Sequence, residues 1–165
     1  ERNTRTKPMG ERIRNAMFNS IGSEVREARV LDAFAGTGAV GFEALSRGAR
    51  FVTFVERDKI AGKIIINNVV SLSVENETEV IKTSINNWLL TAMPENYDII
   101  LVDPPYHDPQ LSTVSKLFGL LKPNGLMVLS HPGRGEVPNL DQLGIVVVDN
   151  RSYGDATLTL FRREE

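Results

Sequence analysis

The sequence predicts an α/β fold: a Rossmann-like, mostly parallel sheet with helices on both faces and an antiparallel strand at its end. Three observations carry that expectation. Short apolar runs of strand length alternate with stretches of helical period from Arg29 to Ser130, and such alternation builds a parallel sheet through right-handed crossovers. Gly36-Thr-Gly38-Ala-Val-Gly41 lies between the first apolar run and a helical pattern, the strand, turn, helix order of a nucleotide-type binding unit. Two apolar runs, Ile145 to Val148 and Thr157 to Phe161, stand near the end of the chain. Their short link suggests a hairpin, which brings in one antiparallel strand.

Taken in order, residues 1–9 lack an apolar period and contain Pro8, so they read as an arm. Glu11 to Ile21 spaces Ile13, Ala16, Met17 and Ile21 along one helical face, and Gly22 stops it. Arg29 to Phe34 is the first strand, and Ala39 to Arg47 a helix closed by Gly48. Phe51 to Val55 is almost wholly apolar, as a strand buried on both faces should be. Lys59 to Leu72 is helical, Glu79 to Lys82 a third strand, Ile85 to Leu90 a short helix and Tyr97 to Val102 a fourth strand. Leu111 to Leu121 forms a helix closed by Lys122-Pro-Asn-Gly125, and Leu126 to Ser130 a fifth strand. No linker or repeat divides the chain. Residues 1–22 read as a basic arm and helix attached to a main domain over 23–165, one domain overall.

Composition narrows the chemistry. The absence of cysteine excludes disulfides, thiolate catalysis and cysteine-bound metals, and two histidines leave little material for a metal site. No apolar run approaches the roughly 20 residues of a membrane span, and the polar, basic start lacks the apolar core of a signal peptide. A cytoplasmic protein without metal or membrane association is expected. The net charge of −2 does not suit indiscriminate nucleic-acid binding. The first residues differ, however: Arg2, Arg5, Lys7, Arg12 and Arg14 face only Glu1 and Glu11 there. Such a segment can touch phosphates, or can simply be a solvated helix start.

The glycine turn alone does not name its ligand. Asp32 lies just before it, near the carboxyl end of the first strand, where a carboxylate would repel a pyrophosphate. A cationic ligand reverses the sign. S-adenosylmethionine has no phosphate and carries a sulfonium and an α-ammonium, which Asp32 can accept while the loop amides around Gly36 and Gly38 serve its carboxylate. Glu56 ends the second strand, where an acid can accept both hydroxyls of an adenosine ribose.

Asp103-Pro104-Pro105-Tyr106 follows the fourth strand. The prolines restrict the backbone and leave their carbonyls free to accept. An amine above this turn can give one hydrogen to Asp103 and one to the Pro104 carbonyl, which draws its lone pair out of conjugation. Tyr106 offers a face on which a flat base can stack. Positioning drives a direct displacement of this kind, and no covalent enzyme intermediate is required.

These segments resemble the class I S-adenosylmethionine-dependent methyltransferases of exocyclic amines, and most closely the RsmD family of 16S ribosomal RNA guanine-N2 methyltransferases. The likeness covers Lys7-Pro8, Glu11 to Asn19, Leu31 to Ala49, Phe54-Val-Glu-Arg-Asp58, Asp103 to Tyr106 and Tyr153-Gly-Asp155. It implies a seven-stranded sheet with the last strand antiparallel. It also implies a cofactor site of Asp32, Phe34, Gly36, Gly38, Glu56, Arg57, Ser84 and Ile85. Catalysis would fall to Asp103, Pro104, Pro105 and Tyr106, RNA contacts to Arg5, Lys7, Arg12 and Arg14, and the partner would be 16S ribosomal RNA or the 30S particle, met by a monomer. Three departures stand out. Met9 and Gly10 replace a hydroxyl-bearing residue after the Lys-Pro pair. Ser84 stands where the family has an acid contacting the adenine amine, so weaker cofactor binding is expected. The family's short glycine-rich basic segment ahead of the arm is not seen, which implies a smaller RNA surface.

Other readings keep some of these features. The same motif serves amino-methyltransferases of DNA or of protein glutamine, although DNA enzymes usually carry a separate recognition region. Met9, Gly10 and Ser84 favour a non-catalytic module that binds S-adenosylmethionine, and a dehydrogenase is disfavoured by Asp32. Trp88 is expected in the core, Asn67 and Asn68 at an exposed helix end, His107 in a loop, and His131 at a strand end with no partner evident.

Overall fold

Strand residues split by parity onto two faces, and the helices follow. Val30 packs with one apolar cluster and Leu31 with the other, as do Ile99 against Ile100 and Val128 against Met127. The computed structural model describes residues 10–105, 110–133, 144–154 and 156–164. Its strands are β1 (Arg29–Asp32), β2 (Phe51–Val55), β3 (Thr78–Ile81), β4 (Tyr97–Val102), β5 (Leu121–His131), β6 (Ile145–Tyr153) and β7 (Ala156–Arg163). They form one sheet in the order β3-β2-β1-β4-β5-β7-β6, with β7 antiparallel to both its neighbours and the pairs from β3 to β5 parallel. This is the seven-stranded class I methyltransferase architecture. The strand order reverses between β1 and β4, and ligands of such sheets bind beyond the carboxyl ends at that point.

Helices α1 (Glu11–Ile21), α2 (Ala39–Ser46) and α3 (Lys59–Ser71) cover one face through Met17, Phe18, Ile21, Val40, Ala44, Ile65 and Val69. Helices α4 (Ile85–Leu89) and α5 (Leu111–Leu117) cover the other through Ile85, Val114 and Leu117. Helix α1 ends at Gly22, whose φ of 63° turns the chain while its N–H returns to the Phe18 carbonyl. Helix α3 begins where the Asp58 carboxylate accepts the Ala61 N–H at 2.9 Å. Trp88 is half-buried against the second face, 6.4 Å from the Tyr97 ring, while Asn67 and Asn68 are exposed.

The elements differ from the expected ones in two places. Helix α5 does not reach Leu121: it ends at Leu117, tightens through Phe118–Leu120, and Leu121 already pairs with Tyr97. Lys122 to Gly125 then loops out of β5, so that Leu121 and Leu126 face Tyr97 and Ile99. Strand β6 continues past Val148 to Tyr153. Its polar half, Asp149 to Ser152, is held to β7 by backbone pairing at the sheet edge, which needs no apolar side chains. The remaining expected strand and helix ends agree to within two residues. Among the described residues, no helix is long and apolar enough to cross a membrane, and no group of three or more potential ligands could hold a metal ion.

Candidate active site

Register brings the expected acids together. Asp32 lies opposite Leu101, and Leu101 opposite Val128. Asp103 and Ser130 stand two residues further along β4 and β5, so parity puts both on the Asp32 side of the sheet. Asp32 also lies opposite Phe54, two residues before Glu56. Three carboxylates from three strands therefore gather at the carboxyl edge, on the face carrying α2 and α3.

Each is held by neutral donors. Asp32 is only 3% exposed, and its Oδ2 accepts the Gly41 N–H at 3.0 Å. Glu56 closes the turn: Oε1 accepts from Gly36 N–H at 2.7 Å and Oε2 from Asp58 N–H at 2.8 Å. The Ser130 hydroxyl donates to Asp103. No cation pairs with any of the three among the described residues.

The electrostatic consequence follows. Burial pushes Asp32 up to about 7, opposed by the Gly41 N–H and reinforced by the charges of Asp103 and Glu56. Burial pushes Asp103 up to about 6, opposed by the Ser130 hydroxyl. Like charges in a desolvated site disfavour one another's ionised form, and a nearby cation restores it. This donor set suits a ligand that brings positive charge, and a pyrophosphate would add to the repulsion. S-adenosylmethionine, with its sulfonium and ammonium, fits.

Two glycines shape the turn. Gly38 caps α2 with φ 93°, and a Cβ there would press to 2.8 Å from the Phe42 ring. A Cβ on Gly41 would run into the Phe54 ring and lie 3.0 Å from Asp32 Oδ2. The third glycine of the motif thus lets α2 approach β1 and β2 closely enough for its amide to reach Asp32.

The other expected residues are spread around this centre. Phe34 is half-buried against the second apolar cluster, and Arg57 is exposed directly after Glu56. Ser84 caps α4, its Oγ accepting the Asn87 N–H at 3.1 Å, and Ile85 is buried behind it. A hydroxyl here does the capping work that an acid would also do. Pro104 is buried and Pro105 half-buried. On α1, Arg12 is exposed, whereas Arg14 turns toward α2 with Nε 3.5 Å from Glu43. Arg5, Lys7, Met9, Tyr106, His107 and Asp155 lie outside the described residues. Sequence reasoning missed Ser130, which it took only as a strand end. A hydroxyl closing the otherwise apolar run Leu126-Met-Val-Leu129 was the available signal. It also saw no partner for His131, whose Nε2 lies 2.8 Å from Thr159 Oγ1 on the antiparallel strand.

Comparison with known proteins points the same way as the geometry. The family described as "Conserved hypothetical protein 95" matches residues 1–162. Ribosomal RNA small subunit methyltransferase D of Buchnera aphidicola subsp. Acyrthosiphon pisum is 36% identical over 116 residues, 70% of this chain and 59% of that protein. Its Haemophilus influenzae namesake is 36% identical over 128 residues, 73% of this chain and 65% of that protein. The chain thus spans less than two thirds of the length of these curated relatives. A solved hypothetical protein from Thermus thermophilus is 32% identical with a TM-score of 0.77, covering 96% of this chain and 88% of that one. An RNA methyltransferase from Salinibacter ruber, solved with S-adenosyl-L-homocysteine, has a TM-score of 0.72 over 96% of this chain and 95% of that one. At 14% identity it shows likeness of fold alone.

Proposed function

The chain belongs to the family described as Conserved hypothetical protein 95, the RsmD family, and on that premise we propose that it methylates the exocyclic N2 amine of a guanine in 16S ribosomal RNA. The observation that carries this reading is the set of three un-neutralised carboxylates, Asp32, Glu56 and Asp103, around the glycine turn and the Asp103-Pro104-Pro105 motif. S-adenosylmethionine supplies a methyl group on a sulfonium, electrophilic toward a nitrogen lone pair.

The chain's own residues bind and position. Asp32 takes the ammonium end, and the carboxylate falls to loop amides other than the two expected ones, since the Gly36 N–H is bound to Glu56 and the Gly38 N–H to the Ala35 carbonyl. Glu56 keeps one oxygen on Gly36 and one on Asp58, and the remaining lone pairs of those oxygens accept the ribose hydroxyls. Ser84 and Ile85 border the adenine, with Phe34 and Arg57 on the walls. Asp103 and the Pro104 carbonyl take the two hydrogens of the guanine amine, Pro105 keeps the turn rigid, and Tyr106 stacks on the base. With a pKa near 6, Asp103 is largely ionised at neutral pH and accepts that hydrogen. Arg5, Lys7 and Arg12 would contact phosphates, whereas Arg14, expected to join them, is turned toward Glu43. The enzyme works as a cytoplasmic monomer on free 16S RNA or the 30S particle, over an arm and helix at 1–22 and a catalytic unit at 23–165.

Labelled S-adenosylmethionine, offered with under-modified 30S particles, naked 16S RNA and DNA, tests the proposal. Label on the N2 of guanine in 16S RNA or in the particle is expected. Label on DNA but not RNA would overturn it. Asp103→Ala should reduce transfer by roughly a hundredfold or more while leaving S-adenosylhomocysteine binding, read by calorimetry, largely intact.

A further inference from the structure

The cofactor side of the site carries a second surface, of which the chemistry above uses only Arg57. Arg57, Lys59, Lys63 and Lys82 are all exposed, and none forms an ion pair among the described residues. Lys59 and Lys63 lie one turn apart on the outer side of α3. The Lys82 stem crosses the same helix at Gly62, where a Cβ would sit 3.5 Å from its Cγ. Arg57 joins this patch to Glu56.

Nearby acids do not neutralise it. Asp58 is engaged at the α3 N-terminus and Glu56 in the glycine turn, and these two acids against four cations leave the patch an excess of two positive charges. Glu79 pairs in register with Thr53, whose hydroxyl meets Tyr97 on the opposite face of the sheet. Lys82 lies three residues on, so strand parity turns it toward α3. Glu75 and Glu77 follow the far end of α3. A helix rises 1.5 Å per residue, which puts the end of α3 about 18 Å from Lys59 and about 12 Å from Lys63, both beyond the Debye length of about 8 Å at physiological salt. Beside the lysines, Ile60 is 74% and Ile64 39% exposed, apolar surface that can lie against riboses or bases. In a chain of net charge −2, this cluster of cations is a local feature with a polyanion's complementarity.

We propose that the outer face of α3, with Arg57, Lys59, Lys63 and Lys82, docks the phosphate backbone of the RNA that carries the target base. This rests on the RNA reading above. From β4 to β2 is two strand spacings, about 10 Å, a separation that a folded RNA segment bridges while its target base reaches Asp103.

The test compares Lys59→Gln/Lys63→Gln/Lys82→Gln with the equally charged control Arg26→Gln/Arg50→Gln/Lys116→Gln, whose positions are exposed near the amino ends of the strands. The probes are an unmodified 16S ribosomal RNA transcript and under-modified 30S particles, with Kd measured across a salt series and S-adenosylhomocysteine binding as the check on folding. The α3 variant is expected to bind roughly tenfold or more weakly, with a log–log salt slope shallower by about 2 to 3, while the control stays near wild type. Equal Kd and slope for the α3 variant and wild type would overturn the docking surface and leave the RNA reading standing. Weaker particle binding with an unchanged salt slope would overturn it too, assigning the patch to a ribosomal protein. If the wild type binds neither probe, the RNA reading itself fails and this surface with it.

Discussion

At the amino-terminal edge of the sheet, acids meet cations. Asp98 accepts the Arg29 N–H at 2.8 Å and the Lys122 ammonium at 3.3 Å. Glu24 takes the Arg162 guanidinium through two bonds of 2.8 Å, and Glu95 holds Arg163 at 3.0 Å. At the carboxyl-terminal edge, Asp32, Glu56 and Asp103 meet only backbone amides and a hydroxyl among the described residues. The acids of the amino-terminal edge, Asp98, Glu24 and Glu95, are each matched by a cation. The carboxyl-terminal edge keeps a mutual repulsion that a bound cation relieves. Shape alone would mislead here: a hollow of about 290 Å³ opens at the amino edge among Glu24, Arg26, Asp98 and Asn124, but Glu24 and Asp98 are already paired. Unmet charge, rather than concavity, separates a binding edge from a structural one.

Asp32→Asn should break this contrast most strongly. Folding raises the Asp32 pKa from an ordinary 3.8 to about 7. The folded state therefore holds the proton more tightly than the unfolded state. The stability this contributes is fully present below about pH 4 and is lost as pH rises through 7. The ligand-free wild type should melt progressively lower across that range. Asn should flatten the slope and melt higher than wild type at pH 8. Its affinity for S-adenosylmethionine should nevertheless fall about ten- to a hundredfold, the worth of a hydrogen bond to a charged group. Thermal melts and calorimetry read the two effects. A variant that melts lower at pH 8 with unchanged affinity would make Asp32 a turn residue and no more.

How much of this was visible in the sequence depends on whether a feature is local. Gly36 to Gly41, Asp32 and Glu56 announced their edge because a glycine turn between strand and helix has few other uses. β2 and β4 were plain because buried parallel strands are apolar throughout. The polar half of β6 was not, since Asp149 to Ser152 owes its strand form to β7 and not to its own side chains. The same limit hid Ser130. Its neighbour Asp103 is distant in the chain, and only the register of β4 on β5 brings them together. The cation pairs of the amino edge were equally unreadable: Glu24 and Arg162 are 138 residues apart.

Ser130→Ala sharpens the comparison with a smaller effect. The hydroxyl holds Asp103 down against a pKa that burial raises to about 6. Without it the pKa climbs further, and the folded protein keeps the proton to higher pH. Methyl transfer should fall severalfold near pH 6 and return to the wild-type rate above pH 8, because the ionised form is then restored. A pH–rate profile distinguishes this from damage to packing, which would lower the rate equally at every pH. Asp32 shares the same face and its own proton is held more tightly by the charge of Asp103, so the acid limb belongs to the pair and not to Asp103 alone.

Glu24→Gln probes the paired edge and should do least. The pair is bidentate, but its side chains are 48% and 29% exposed, and solvent-exposed pairs contribute about 0 to 1 kcal/mol. Burial opposes the Arg162 bond that lowers the Glu24 pKa. The folded state thus binds this proton less tightly than the unfolded one, so the pair's contribution is present at neutral pH and lost as pH falls through the carboxylate range. The variant should melt slightly below wild type at pH 7, match it near pH 3, and lose most of the difference in molar salt. S-adenosylmethionine affinity should not move, because the pair lies at the other end of the strands from Asp32. A loss of affinity comparable to that of Asp32→Asn would show the two edges to be coupled through the sheet, and charge pairing at the amino edge would then belong to the binding mechanism.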